Sequence, residues 1–352
     1  MLTNYPIRYG EIHDSLKDTI TQKDYSQIII LTDDNTLKHC LRLLPSDCQN
    51  NVIVIPSGEQ YKNIATCEII WENLLSFNAD RYSVLINLGG GVIGDMGGFC
   101  ASTYKRGIDF IQVPTTLLSM VDASVGGKLG VDLLNVKNCV GLFSNPNAVL
   151  IDHRFLDTLS ERQLKNGTAE MIKHYLIKDA GSWNEYVHHF EDVKHDLYTS
   201  SAIERSINIK RNIVEIDPFE SGIRKILNFG HTIGHALESH FLSTDTPLLH
   251  GEAVILGMVG ATFLSQKLVG LDDKVSAEII SFLQKNYVYN YDVDLRLNKE
   301  EVLNYIKTDK KNKQEEIRFV LLKNIAEPIY DVGVSESDIM ATLSYIETLK
   351  NA

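Results

Sequence analysis

Between residues 27 and 151, short apolar runs alternate with segments of helical spacing, and the third run opens into Leu88-Gly-Gly-Gly-Val-Ile-Gly-Asp-Met-Gly-Gly98. No other feature restricts the possible folds as strongly. The candidate strands are 27–32, 51–55, 82–88, 109–113 and 148–151, with helices expected over 62–77 and 92–104. Such alternation argues for a parallel sheet with helices on both faces. Ligands bind beyond the carboxyl ends of strands in sheets of this kind. After about residue 155 the pattern turns mostly helical, over 161–178, 203–215, 231–241, 252–269, 273–286 and 335–349. One short late strand is expected over 317–322.

The glycine-rich segment follows a predicted strand and opens a predicted helix. Glycines let the backbone approach a pyrophosphate, and a helix N-terminus favours its charge. The spacing departs from a clean Gly-x-Gly-x-x-Gly loop, so a tight structural turn is the competing reading. Asp95 inside the loop either accepts a hydroxyl bond from ribose or substrate or caps the helix. Ser57-Gly-Glu-Gln-Tyr-Lys62 follows the second strand. There Glu59 suits ribose hydroxyls and Lys62 a phosphate, although the segment also reads as a solvated turn. Asp33 and Asn35, ending the first strand, suit adenosine contact or a helix cap.

A second group of motifs is cationic. Val113-Pro-Thr-Thr-Leu-Leu-Ser-Met-Val-Asp122 runs into Ala-Ser-Val-Gly-Gly-Lys128, and Lys137-Asn138 follows. A Gly-Gly-Lys step brings backbone amides and an ammonium together, which suits a phosphate. Arg106, Lys173, Lys210, Arg224, Lys310 and Lys311 are further cations near motif-like segments.

In the helical half, His231 and His235 lie four apart in Asn228-Phe-Gly-His-Thr-Ile-Gly-His235, so both imidazoles leave one helix face. His250 follows in His250-Gly-Glu-Ala-Val254, and Glu170 sits in Thr168-Ala-Glu-Met-Ile-Lys173. Nitrogen and carboxylate donors of this kind suit zinc with one position left open. Lys173 shares a helix face with Glu170. His174, Glu238 and His240 are competing donors that spacing does not eliminate. Each histidine ligand also needs its second nitrogen oriented by another group, which spacing does not identify.

Composition narrows the class of partner. Lys plus Arg is 34 against 46 Asp plus Glu, a net charge of -12. That disfavours nucleic acid or an anionic membrane, while a local cation cluster still serves a small anionic substrate. The five cysteines include no Cys-x-x-Cys pair and fit free thiols in a reducing compartment. The start Met1-Leu-Thr-Asn-Tyr-Pro lacks a signal-peptide shape. The longest apolar stretch, 253–264, is too short to span a bilayer and reads as a buried helix. A soluble cytoplasmic protein is expected.

Together these motifs resemble the 3-dehydroquinate synthase family, the second step of the shikimate pathway. The matching pieces are Ser57–Lys62, Gly89–Asp95, Tyr104-Lys-Arg-Gly107, Val113–Lys128, Lys137-Asn138, Ala169–Lys173, Leu227–Glu238, His250–Val254 and Asp309-Lys-Lys311, in family order along nearly the whole chain. The resemblance implies an α/β fold: a Rossmann-like parallel-sheet NAD domain over 1–155, then a mostly α-helical metal and substrate domain over 156–352. It implies a homodimer in which Arg106 reaches the neighbouring site.

It assigns zinc, with cobalt as a substitute, to Glu170, His231 and His250, and moves His235 to the substrate. NAD contacts are implied for Asp33, Asn35, Ser57, Gly58, Glu59, Gln60, Tyr61 and Lys62. They continue through Gly91, Val92, Ile93, Gly94, Asp95, Thr115, Thr116, Lys128, Lys137, Phe155, Leu156, Asp157 and Thr158. Catalytic work falls to Asp122, Lys128, Lys173, Lys210 and His235, and substrate binding to Arg106, Asn138, Arg224, Asn228 and Lys310.

The implied substrate is 3-deoxy-D-arabino-heptulosonate 7-phosphate, a sugar phosphate carrying a carboxylate. Its conversion runs through transient oxidation by NAD, loss of phosphate, return of hydride, ring opening and aldol closure. The substrate's own phosphate serves as the base for its elimination, consistent with no single base standing out. Another sugar phosphate cyclase or a metal-dependent polyol dehydrogenase is the alternative. Arg224 and Lys210, suited to a carboxylate, favour the quinate reading.

Overall fold

The computed structural model describes residues 5–134, 136–190, 198–242, 244–291, 293–308 and 317–350. The chain divides into two compact units. One holds the residues up to Leu164 together with Tyr198–Pro218, and the other holds the remainder.

The first unit contains, in chain order, β1 (Ile7–Tyr9), β2 (Ile28–Asp33), β3 (Val52–Ile55), β4 (Val84–Gly89), β5 (Asp109–Pro114), β6 (Lys128–Leu133), β7 (Val136–Phe143) and β8 (Ala148–Ile151). Six of these form one parallel sheet in the order β1-β8-β5-β4-β2-β3, while β6 and β7 pair antiparallel as a separate hairpin. β4 is buried at every position, which explains its near-continuous apolar run. The unit's helices are α1 (Ile12–Ile20), α2 (Asp34–His39), α3 (Ile64–Ser76) and α4 (Gly91–Thr103). Leu31, Ile53, Leu85 and Phe110 from the sheet close a core with Ile70 and Leu74 of α3 and Ile93 and Met96 of α4.

The second unit takes most of α5 (Glu161–Lys178), then α6 (Ala180–His188). α7 (Ser200–Ile216) returns to the first unit, where it packs on the wide turn Ser119–Ala123. Its Lys210 Nζ donates to Asp122 Oδ1 at 2.7 Å and to the Asp122 carbonyl at 2.6 Å. The sheet unit thus takes in a helix from later in the chain, joined to it by this charged anchor.

The helical unit continues with α8 (His231–Phe241), α9 (His250–Val269), α10 (Asp273–Asn286), α11 (Lys299–Thr308) and α12 (Glu336–Thr348), with the hairpin β9 (Ile317–Asn324) and β10 (Glu327–Val334) ahead of α12. α9 is the central post, packed by α8, α10, α12 and β9. At 20 residues it is long and apolar enough by length and composition to cross a membrane, so the expectation from the shorter stretch 253–264 understated it. Its side chains are nonetheless mostly buried among the other helices, the arrangement of a core helix.

α8 and α9 meet backbone to backbone. A Cβ on Gly257 would stand 1.9 Å from the Gly230 carbonyl and 2.8 Å from the Gly234 nitrogen. Gly257→Ala must separate the two helices, and overpacking of this kind costs about 1–3 kcal/mol. Calorimetry of the metal-free protein should show a lower melting temperature; an unchanged melt would contradict the close crossing.

Candidate functional site

In the first unit, the carboxyl ends of neighbouring strands gather the residues expected to hold a nucleotide. β4 ends at Gly89 beside the end of β5, and the Thr115 amide donates to the Gly89 carbonyl at 3.0 Å. Gly91 to Asp95 form the first turns of α4, and Thr116 exchanges hydrogen bonds with Ser119 at the next strand end. Asn35 Nδ2 donates to Ser57 Oγ at 3.0 Å, joining the ends of β2 and β3. Asp33 caps α2 by accepting from the Thr36 amide at 2.7 Å, so of its two readings the cap is realised. Phe155 to Thr158 lie in the short turn after β8.

Lys62 lies ahead of α3 rather than within it, and it is buried rather than solvated. Its ammonium donates to Asp95 Oδ2 at 2.6 Å and to Asn138 Oδ1 at 2.7 Å. Burial alone would lower the Lys62 pKa, but the carboxylates of Asp95 and Glu59 overcome it and push it up. Asp95 sits inside α4, with Gly90 at the cap position, so the helix-cap reading of Asp95 fails. Burial raises the pKa of Asp95, and Lys62 offsets part of that rise. Glu59 and Lys137 pair at 3.5 Å, and the Asp132 amide donates to the Lys62 carbonyl at 2.8 Å. The β6–β7 hairpin is thereby tied to the 57–62 turn at several points. Lys128 begins β6 and is exposed.

Arg106 stands apart from these groups. It precedes β5 in an exposed left-handed conformation with φ 68°, whereas Thr115 and Thr116 follow the same strand. A strand of this length separates its two ends by roughly 20 Å.

In the second unit α5, α8 and α9 bring Glu170, His231 and His250 together. Glu170 Oε1 lies 3.6 Å from His231 Nε2 and 3.5 Å from His250 Nε2. Ligands at ordinary zinc distances stand about 3.4 Å apart around a tetrahedral ion. The opposite ring nitrogens have orienting partners: His231 Nδ1 lies 3.2 Å from the Phe229 carbonyl and His250 Nδ1 3.1 Å from Glu238 Oε2. Such outer contacts set the tautomer that leaves Nε2 facing a metal. Lys173 Nζ contacts Glu170 Oε2, and both side chains are buried.

The His235 ring lies 5.0 Å from His231 and 5.7 Å from His250, and the donor atoms of the three histidines fall within 4.8 Å of one another. The three histidines thus form one candidate donor set, and Glu170 approaches two of them, His231 and His250. Of the competing donors, His240 turns to Glu301 on α11 at 2.9 Å, and Glu238 supports His250 from behind. His174 lies fully buried on α5.

Arg224 and Asn228 lie in the turn Ile223–Asn228 of the same unit. Arg224 is buried, and Asn228 Nδ2 donates to Glu220 Oε1 at 2.5 Å. Lys310 lies outside the described residues. No role was expected for Glu220, and Glu238 was expected only as a competing donor. Glu238 carried a signal, seven residues past the first histidine of α8 and so on its inner face, but its partner lies on another helix.

A parallel sheet with a glycine loop at its carboxyl edge followed by a helical unit is a fold shared with solved cyclitol synthases. A 2-deoxy-scyllo-inosose synthase, solved with carbaglucose-6-phosphate, NAD+ and Co2+, superposes with a TM-score of 0.82 at 24% identity, covering 98% of each chain. A 2-epi-5-epi-valiolone synthase from Streptomyces hygroscopicus, solved with NAD+ and Zn2+, reaches 0.85 at 22% identity, covering 97% of this chain and 96% of that one. At the level of sequence, the family profile for the 3-dehydroquinate synthase N-terminal region matches residues 52–166, and that for the C-terminal region matches 167–312. A 3-dehydroquinate synthase of Parabacteroides distasonis is 38% identical over 344 residues, 95% of each chain. One from Clostridium beijerinckii is 42% identical over 313 residues, 86% of each chain. The chain belongs to the 3-dehydroquinate synthase family.

The cluster has a pH signature. Burial disfavours a charged His250 ring, but Glu238 and Glu170 outweigh it and push the pKa from 6.5 up to about 10. Because the folded-state value is raised, this ring's stabilisation of metal-free protein is full below about 6.5 and is lost as pH rises through about 10. A metal bound through this ring would have to displace that proton. Zinc titrated into metal-free protein at neutral pH should release it, giving a heat that depends on the buffer, and affinity should rise with pH across that window. A heat independent of buffer would contradict a protonated ring.

Proposed function

We propose that the chain converts 3-deoxy-D-arabino-heptulosonate 7-phosphate to 3-dehydroquinate and inorganic phosphate, with NAD reduced and reoxidised within each turnover. The observation that carries this reading is the Glu170 cluster: a carboxylate oxygen 3.6 and 3.5 Å from two imidazole nitrogens, each imidazole backed by an oxygen. The family membership supplies the reaction.

Glu170, His231 and His250 would hold zinc, or cobalt in its place. The ion would supply Lewis acidity to a substrate hydroxyl, and NAD would supply reversible hydride acceptance. Lys173, already against Glu170, offers its ammonium to the oxyanion that develops beside the ligands. His235 projects beside both ligand histidines and takes a hydroxyl of the substrate instead of the metal. Asp122 holds the Lys210 ammonium, and Lys210, Lys128, Asn138, Asn228 and Lys310 bind the substrate's polar groups.

Arg224 offers a planar fork to the carboxylate. A cyclitol-forming enzyme acts on a substrate without that group, so Arg224 favours the quinate-forming reaction.

The residues that would hold NAD stand at the ends of β2 to β5, where Asn35 meets Ser57 and α4 begins. The solved relatives that carry NAD+ with Co2+ or Zn2+ support the same cofactor pair. Arg106, at the far end of β5, serves the site of a second copy, so the working form is a cytoplasmic homodimer.

Phosphate release from the heptulosonate phosphate, followed together with NADH absorbance, tests the reaction. Many turnovers of phosphate with no net NADH are expected; steady NADH formation from simple polyols without phosphate release would sink the proposal. His231→Ala should lose bound metal. His235→Ala should keep it while kcat falls roughly 100-fold or more. The reverse pattern would exchange the two roles.

A further inference from the structure

In His250-Gly-Glu-Ala-Val254 the histidine has a proposed role, and its two neighbours have a structural one. α9 begins at His250, and the residue at its cap position, Leu249, has no side-chain oxygen for the first-turn amides. Those amides need acceptors, usually from the cap residue itself. Here the acceptor comes from another helix: the Gly251 amide donates to Asn166 Oδ1 on α5 at 2.6 Å, in a buried position. Glu252 closes the same turn by accepting from the Leu249 amide at 2.8 Å. The helices also touch directly, since a Cβ on Gly251 would stand 2.1 Å from the Asn166 carbonyl oxygen. Asn166 lies one turn before Glu170, so both side chains leave the same face of α5.

We propose that Asn166 is a positioning residue for the metal centre: by fixing the first turn of α9 to α5, it sets the separation of His250 from Glu170. The inference rests on the reading of Glu170 and His250 as ligands. One hydrogen bond and one glycine contact lie within a helical turn of both donors. The 3.5 Å between Glu170 Oε1 and His250 Nε2 is therefore held by backbone as well as by side chains. Loss of either contact lets α9 slide or tilt and spoils the tetrahedral spacing. Outer contacts of this kind contribute roughly 10- to 100-fold in metal affinity.

The test is cobalt binding to the full chain, measured by competition with a chromophoric chelator and by the visible absorption of bound Co2+, in Asn166→Ala, Asn166→Asp, Gly251→Ala and His250→Ala. Asn166→Ala and Gly251→Ala should each weaken cobalt binding roughly tenfold or more and change the absorption envelope. Asn166→Asp, which keeps an acceptor oxygen, should restore both. If Asn166→Ala does not fold, Gly251→Ala carries the test from the other side of the contact. Wild-type affinity and spectrum in the Asn166→Ala protein, with cobalt lost from His250→Ala, would overturn the positioning role alone. Retention of wild-type cobalt binding by His250→Ala would overturn the ligand assignment beneath it.

Discussion

The helical unit is organised around a buried carboxylate. Glu170 is fully enclosed, and an ionised carboxyl in such a place is costly unless cations or polar groups meet it. Lys173 reaches it from the next turn of α5, and His231 and His250 reach it from α8 and α9. Each partner needs its helix at a set height and distance, which side-chain packing alone specifies loosely. The close crossings at Gly257 and Gly251 supply the missing precision, because backbone in contact with backbone has little room to adjust. The contacts that pack the helices are thus the ones that space Glu170, His231 and His250.

A related solution operates in the sheet unit. There the buried charge is an ammonium, and Lys62 joins the glycine-loop helix to the β6–β7 hairpin through Asp95 and Asn138. Asn138 takes a left-handed backbone with φ 51°, and its amide is held by Asp132 Oδ1 at 2.7 Å. Three segments far apart in sequence are therefore registered by one side chain. Truncating Lys62 would leave a carboxyl inside α4 without this counter-charge, which gives the lysine a structural role.

Elements that bury a continuous apolar face were legible in the sequence. β4 and β8 appear as expected, and the helices 161–178, 231–241 and 273–286 match to the residue. The short β1, the β6–β7 hairpin, β10 and the helices α1, α2, α6 and α11 were not read. β7 and β10 are largely exposed or half-buried and α2 has only one buried residue, so their sequences carry little of the apolar period that marks an element. For the cluster, spacing revealed that His231 and His235 share a face, a local property of one helix. The nearness of Glu170 to two imidazoles depends on how three helices pack; residue type made Glu170 a candidate donor, and only the family resemblance chose it together with His231 and His250. Glu238 behind His250 and Asn166 beneath Gly251 are contacts between elements, and no local pattern announces them.

The return of α7 to the sheet unit bears on how the chain is made. Synthesis runs from the N-terminus, and the sheet strands are complete once Ile151 has emerged. Lys210, which anchors Asp122, comes much later, after α5 and α6 of the other unit. At ribosomal speeds that interval lasts on the order of several seconds. During it the growing chain carries a finished sheet whose Ser119–Ala123 turn still lacks the helix that covers it. The nucleotide unit is thus the first to start folding and cannot finish until part of the helical unit has been translated.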